Sequence, residues 1–423
     1  MPTSFRYRLQ IHDHPAHIDP VAWDGLLNLQ ALPTPFMRHA YLQAMHASGS
    51  AVPAQGWTPR FMLLWQEEAR AGGAGEAEEE AEEREEPAGQ LVAACAVYLK
   101  THSYGEYVFD WAWANAYAEH GLRYYPKALV AAPFTPVPGS RLLARDAVAR
   151  EALVRGLVQW CSEEGLSSLH VLYGDEADRA ACESVGLMNR HQVQFHWNNA
   201  TPAFESFDAF LASLNQEKRK KIRQERRKVR DAGVSFRWAR GADISPADWA
   251  FFYQCYERTY LEHGNAPYLT PEFFDAMARD MPENWLLFIA QDSGGPMACS
   301  LIALNSGDAF GGTSVAYGRY WGALKRGDSL HFEACYYQPI EWCIAHGVSR
   351  FEGGAQGEHK MARALMPVRT QSAHWLAHPA FADAVERFLE REGQGVDQYM
   401  EHLERRSPFR QENGAGVPTP PTR

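Results

Sequence analysis

Glu358, His359, Lys360 and Arg363 crowd one short stretch, directly after the glycines at 353, 354 and 357. A carboxylate or imidazole at such a place can take a proton from an attacking amine, and a lysine can steady negative charge developing on a carbonyl oxygen. The glycines would let backbone amides approach a substrate closely. The chain reads here as a strand ending at Phe351, a flexible GGAQG turn and a helical turn. α/β proteins tend to place sites at that junction.

A second concentration is EKRKKIRQERRKVR, residues 217–230, with nine basic and two acidic side chains. On a helix, Ile222 and Val229 mark the buried edge. Arg219, Lys221, Arg223 and Arg227 then project with Lys218 and Arg226 over the remaining surface. Guanidinium forks bind phosphates in pairs of hydrogen bonds and ammonium groups add point charge. A merely solvated helix usually carries interleaved Glu partners, and few are present here.

A third group mixes rings with charges: Tyr104, Glu106, Asp110 and Trp111 in the first half, and Arg319, Tyr320 and Trp321 with His331 and Glu333 in the second. Aromatics alternating along strands are ordinarily core. Carboxylates among so many rings need partners, which makes Glu106, Asp110 and Glu333 candidates for holding a substrate amine.

The elements around these residues repeat. REALVRGLVQWCSEEGLSSLHVLY and HFEACYYQPIEWCIAHGVSRFEGG each read as a helix, a glycine stop and a strand, with Trp160-Cys161…Gly165 matching Trp342-Cys343…Gly347. GQLVAACAVYLKTHSYGEYVFDW and GGPMACSLIALNSGDAFGGTSVAYGRYWG both read as strand–turn–strand. Two copies of one α/β unit are therefore expected, each a mixed sheet flanked by helices, with domains over 1–195 and 196–405. The second begins with a long helix capped by Ser206 and stopped by Gly233. Further helices open at Ser245-Pro246 and Thr270-Pro271. Residues 67–89 read as an acidic disordered insertion, and 406–423 as an unstructured tail.

Composition bounds the rest. With 423 residues and 46% hydrophobic content, the chain can bury two cores and is not disordered. Its net charge of −11 owes −8 to residues 67–86, leaving only −3 elsewhere. No secretory leader or membrane-spanning run is visible, which predicts a cytoplasmic protein. Seven cysteines without a C-x-x-C pair suit buried thiols in a reduced compartment. Neither P-loop, G-x-G-x-x-G, G-x-S-x-G nor H-E-x-x-H occurs, and the His12, His14 and His17 group is not read as a metal site. No metal, no DNA and no tightly bound cofactor are expected.

THSYGEYVFDWAWANAYAEHGLRYYPKALVAAPFTPVPGSRLL, KRKKIRQERRKV, FYQCYERTYLEHG, GRYWG, LHFEACYYQPIEWCI and GAQGEHKMAR resemble the FemAB-like family, over residues 92–376. Its members are labelled peptidoglycan biosynthesis or recognition proteins of the GNAT acyltransferase superfamily. The resemblance implies tandem GNAT-like domains and transfer of an aminoacyl group from aminoacyl-tRNA to an amine of a peptidoglycan precursor or small molecule. Lys218–Arg227 would lie near phosphates and Lys360 near the reacting centre. Glu358, His359 or Glu333 would accept the amine proton, and no covalent enzyme intermediate would be needed. An acyl-CoA donor is the alternative, although ALKRGDSLHFEA lacks the usual pyrophosphate loop. A non-catalytic module recognising cell-wall fragments or nucleic acid is the third reading. The oligomeric state is not legible.

Overall fold

The repeated Trp-Cys…Gly signature builds the same piece of structure twice. In the computed structural model, which describes residues 5–68, 89–305, 314–354 and 357–410, helix Ala147–Glu163 buries Trp160 and Cys161. It stops at Gly165, whose φ of +63° is left-handed. Leu166 N–H then bonds back to Cys161 O at 2.9 Å, and strand Ser168–Leu172 follows. Helix Gln338–Ala345 likewise buries Trp342 and Cys343 and stops at Gly347, φ +67°. There Val348 N–H bonds to Cys343 O at 2.8 Å, ahead of strand Arg350–Glu352. A side chain at either glycine would strain that stop.

Two compact units result, and neither is contiguous in sequence. One comprises 1–192, 268–281 and 370–396; the other comprises 193–267, 282–369 and 397–423. Strand Met188–Asn198 runs through the position where the sequence places a domain boundary.

The first unit holds an antiparallel sheet in the order Phe5–His12, Phe61–Glu68, Gln90–Cys95, Leu143–Ala144. Its other strands centre on a parallel pair, Ala128–Val130 with Leu169–Val171. Val97–Lys100 flanks that pair on one side and Ser372–Leu376, from far along the chain, on the other, both antiparallel. Leu153, Leu157, Trp160, Leu169 and Val171 share its core.

The second unit repeats the plan. Strands Ser235–Arg240, Trp285–Asp292, Gly295–Asn305 and Val315–Ala323 form an antiparallel run. Val315–Tyr317 pairs in parallel with Arg350–Glu352, which pairs antiparallel with His196–Asn198. Each unit is thus a mixed sheet flanked by helices, the α/β class read from the sequence, closed by a strand from the other half of the chain.

Two readings need correction. The expected long helix is two, Phe207–Ser213 and Gln216–Asp231. Leu214 is extended and bridges Phe409, while the Asn215 side chain caps the second helix through Lys218 N–H. Residues 101–111 are not the second strand of a hairpin. They form a loop that leads into helix Trp111–Glu119, in which Trp113 and Tyr117, four apart, turn to one buried side. The helices at Pro246 and Pro271 form as read, the former with a full capping box between Ser245 and Asp248.

Most of the acidic insertion (69–88) and the tail from 411 lie outside the described residues. Residues 407–410, at the head of that tail, are fastened down: Asn215 N–H bonds Pro408 O at 2.9 Å, and Arg410 N–H bonds Ser213 O at 3.0 Å. All seven thiols are free, six buried and Cys335 half-buried. Among the described residues, no helix is long and apolar enough to cross a membrane.

Candidate active site

The site is assembled in the second unit around one irregular turn of helix. Glu333–Tyr337 forms a π turn between Leu330–Phe332 and Gln338–Ala345. Such a turn frees backbone groups and rotates the side chains after it. Here the buried Ser300 hydroxyl donates to Ala334 O at 2.6 Å, satisfying one of those groups. Four of its five side chains, all but that of Ala334, then aim at different partners.

Two of them lock the basic helix Gln216–Asp231 in place. Glu333 accepts from Arg226 Nε at 3.1 and 3.2 Å and from Gln338 at 2.7 Å. Arg226 also reaches Glu341 at 2.6 Å. Tyr337 donates to Glu225, which accepts a forked pair from Arg363 Nη2 at 3.0 Å. Arg363 in turn holds His359 O at 2.8 Å and lies 3.6 Å from the centre of the Phe332 ring. Glu333, read as a proton acceptor, and Arg363, read as a substrate contact, therefore fasten the helix to the turn.

The other two side chains, Cys335 and Tyr336, line a cavity of about 160 Å³. Its remaining walls are Ser300, Ile302, Gly318, Arg319, Tyr320, Trp321, His331, Gly353 and Gly354. The register of Gly295–Asn305 against Val315–Ala323 slips here. Leu301 faces Tyr320 while Ile302 faces Gly318, so Arg319 sits in a bulge. Arg319 Nη2 donates to Tyr320 OH at 3.2 Å. The cavity opens where the parallel strands Val315–Tyr317 and Arg350–Glu352 stop pairing. Burial, then the charges of His359, Arg363 and Lys360, push His331 down to about 4.

Lys360 and His359 stand beside this cavity on the single helical turn Glu358–Arg363. Lys360 is buried, donates to Gly354 O at 2.9 Å, and is lowered by burial to about 8. The exposed His359 ring accepts or donates at 3.2 Å to Tyr336 OH. Burial, with the positive charges of Arg363 and Lys360, lowers His359, whereas burial raises the Tyr336 phenol. Gly357 holds a φ of +116°, which side-chain-bearing residues rarely adopt; a Cβ there would also meet the exposed His359 ring at 2.4 Å and turn it aside. Glu358 points outward, accepting from Tyr399 OH at 2.7 Å and from Arg406 at 3.4 Å.

His359 also lines a larger cavity of about 550 Å³ with Lys218, Lys221 and Arg406; Glu217 and Glu358 line it too, paired with Lys218 at 3.2 Å and Arg406 at 3.4 Å. The basic helix and the His-Lys turn read from the sequence are thus brought to one cavity. Arg219 is half-buried and borders none of the cavities described here. Arg223 and Arg227 face a separate cavity.

Tyr104, Glu106, Asp110 and Trp111 belong to the first unit. Tyr104 and Trp111 are exposed and meet edge to face at 5.1 Å. Glu106 and Asp110 are buried and both grip Lys127, Glu106 at 2.7 Å. Burial raises Glu106 to about 7 against the pull of Lys127. Burial works the same way on Asp110, but Lys127 and the hydrogen bonds prevail and hold it at about 2. An internal lysine occupies the place read for a substrate amine.

Sequence reasoning missed Ser300, Cys335, Tyr336, Tyr337 and Glu225. Only Glu225 left a signal: an acid at the i+3 place between Ile222 and Val229, on the buried edge of a basic helix.

A family model for FemAB-like proteins, described as peptidoglycan biosynthesis/recognition, matches residues 14–411. Similar solved structures include the C-terminal domain of a putative lysylphosphatidylglycerol synthetase from Agrobacterium fabrum. It is 10% identical, with 69% of this chain and 85% of that one covered and a TM-score of 0.44. L-PGS from Bacillus licheniformis is 10% identical, covering 71% and 86%, TM-score 0.44. A tandem GNAT protein from the clavulanic acid biosynthesis pathway is 12% identical, covering 89% and 99%, TM-score 0.42. A search of curated proteins gives no match.

Proposed function

The chain belongs to the FemAB-like family, and from that premise we propose that it is an N-acyltransferase. It moves an aminoacyl group from aminoacyl-tRNA to an amine of a peptidoglycan precursor. One observation carries the reading. His359 lines the larger cavity, where Lys218, Lys221 and Arg406 stand beside Glu217 and Glu358, Tyr336 lines the smaller one, and the two side chains hydrogen-bond at 3.2 Å. A phosphate-bearing donor held at Lys218, Lys221 and Arg406 would thereby present its ester to the smaller cavity.

In this reading the amine nitrogen attacks the ester carbonyl, forming the C–N bond. His359, kept largely neutral at pH 7 by its lowered pKa, takes the amine proton. The Lys360 ammonium stabilises the oxyanion, and the neutral Tyr336 phenol holds the imidazole in line. Collapse breaks the C–O bond, and the proton passes to the departing ribose oxygen. Glu333 and Arg363 contribute by fixing the helix and the turn.

An acyl-CoA donor is the second reading, favoured by the narrow cavity where the parallel strands diverge, which would take a linear thioester arm. The test supplies charged tRNA or acyl-CoA, each radiolabelled in the acyl group, with a muropeptide amine. Label moving from tRNA supports the first donor, and label from CoA replaces it with the second. Transfer from neither ends the acyltransferase reading.

A further inference from the structure

The arginines in the C-terminal half of the basic helix face away from the cavity assigned to the donor. At about 100° per residue, Lys218 and Lys221 fall on one side of the helix and Arg223, Arg227 and Arg230 on another. That second side borders its own cavity of about 550 Å³, within the range of sites for small organic ligands.

Its chemistry is divided. The apolar lining includes the buried Phe207 and Leu211 and the half-buried Phe236, with the Arg226 guanidinium 4.6 Å from the Phe207 ring centre. The rim is cationic. Three carboxylates also line the cavity, and most of their charge is taken up. Glu333 and Glu341 are spanned by Arg226, and Asp208, exposed, stands 3.5 Å from Arg223. Arg227 and Arg230 have no ion-pair partner among the described residues. Two free guanidinium forks above an apolar floor match one ligand class, a phosphate ester with a hydrocarbon chain. The forks take the oxygens, and the chain covers Phe207, Leu211 and Phe236.

We propose that this cavity is a second anion site, separate from the donor cavity, that binds an alkyl phosphate. A nucleic acid backbone would use the arginines but leave the apolar floor uncovered, and Phe207, buried, offers little ring face for a base to stack on. The proposal goes beyond the transfer chemistry and does not require it.

The experiment measures binding of ethyl, butyl and hexyl phosphate, inorganic phosphate and a short single-stranded RNA to the full chain by calorimetry. Affinity is expected to rise about two- to fourfold per methylene, with inorganic phosphate weakest. The exposed double variant R227Q/R230Q should lose at least tenfold in hexyl phosphate affinity, and K218Q/K221Q should keep it. Affinity indifferent to chain length overturns the proposal, as does retention of binding by R227Q/R230Q. RNA that displaces hexyl phosphate overturns it in favour of a nucleic acid surface. Vesicles of phosphatidylcholine with and without phosphatidic acid identify the source. Binding only to the acidic vesicles supports the site with a lipid headgroup as ligand. Binding of soluble hexyl phosphate alone supports it with a free ester.

Discussion

Glu225 and Arg363 meet at 3.0 Å beneath the basic helix, with side chains only 11% and 3% exposed. This pair, with Tyr337, ties a run of cations to the turn that carries His359 and Lys360. Removing one partner leaves a buried charge unpaired, which costs about 3–5 kcal/mol. Glu225→Ala should therefore lower the thermal midpoint clearly. The double variant Glu225→Leu/Arg363→Met should recover much of that loss while activity stays low. A single variant as stable as the parent would show that the pair does not hold the turn.

Lys360 titrates near 8 because it is buried. If its ammonium stabilises the oxyanion, turnover should fall as pH rises through about 8, as the lysine loses its proton. Lys360→Met should cost roughly 10²–10³ in kcat. Lys360→Arg should retain part of the rate and carry the alkaline limb to higher pH. An alkaline limb at the same pH in the arginine variant would remove Lys360 from the chemistry.

Gly357→Ala tests whether the His359 ring must lie over its own turn. The φ of +116° makes alanine strained there by about 1–3 kcal/mol, and its Cβ, 2.4 Å from the imidazole, would turn the ring aside. A drop of tenfold or more in transfer is expected, with the circular dichroism spectrum preserved. Full activity would mean the ring is free to sit elsewhere.

Lys100 offers a stability test in the first unit. Burial lowers it to about 7 from an ordinary 10.5, and its ammonium lies 3.6 Å from the Trp57 ring centre. Between those pH values the unfolded chain holds a proton that the folded chain has released. Stability from this residue therefore climbs from pH 7 to 10.5 and is lost as pH falls through 7. Thermal midpoints measured from pH 7 to 10 should show a climb in the parent that Lys100→Met lacks. Parallel curves would mean that Lys100 keeps its ordinary pKa in the folded chain.

Local signals in the sequence carried far where one element decided its own shape. The glycines at 165 and 347, the proline-led helices at 246 and 271, and the Ile222–Val229 edge all formed as read. What failed depended on distant partners. Leu214 leaves the helical path to pair with Phe409, which no window around residue 214 contains. The run ending at Trp111 looked strand-like by composition, although Trp111 opens a helix on which Trp113 and Tyr117 share one buried face. The π turn had no local mark, since its freed carbonyl is satisfied by Ser300, far back in the chain. Glu106 and Asp110 were correctly singled out as buried acids needing a cation, yet the cation is Lys127 rather than a ligand.

Ser168–Leu172 is joined along one edge by Ser372–Leu376, a segment made some two hundred residues later. At roughly 5–20 residues per second, synthesis leaves that edge bare for on the order of 10–40 s. A nascent amino-terminal half thus emerges from the ribosome with its sheet unfinished and open to neighbouring chains. Its safe passage depends on whatever shelters it until the far end of the message has been read.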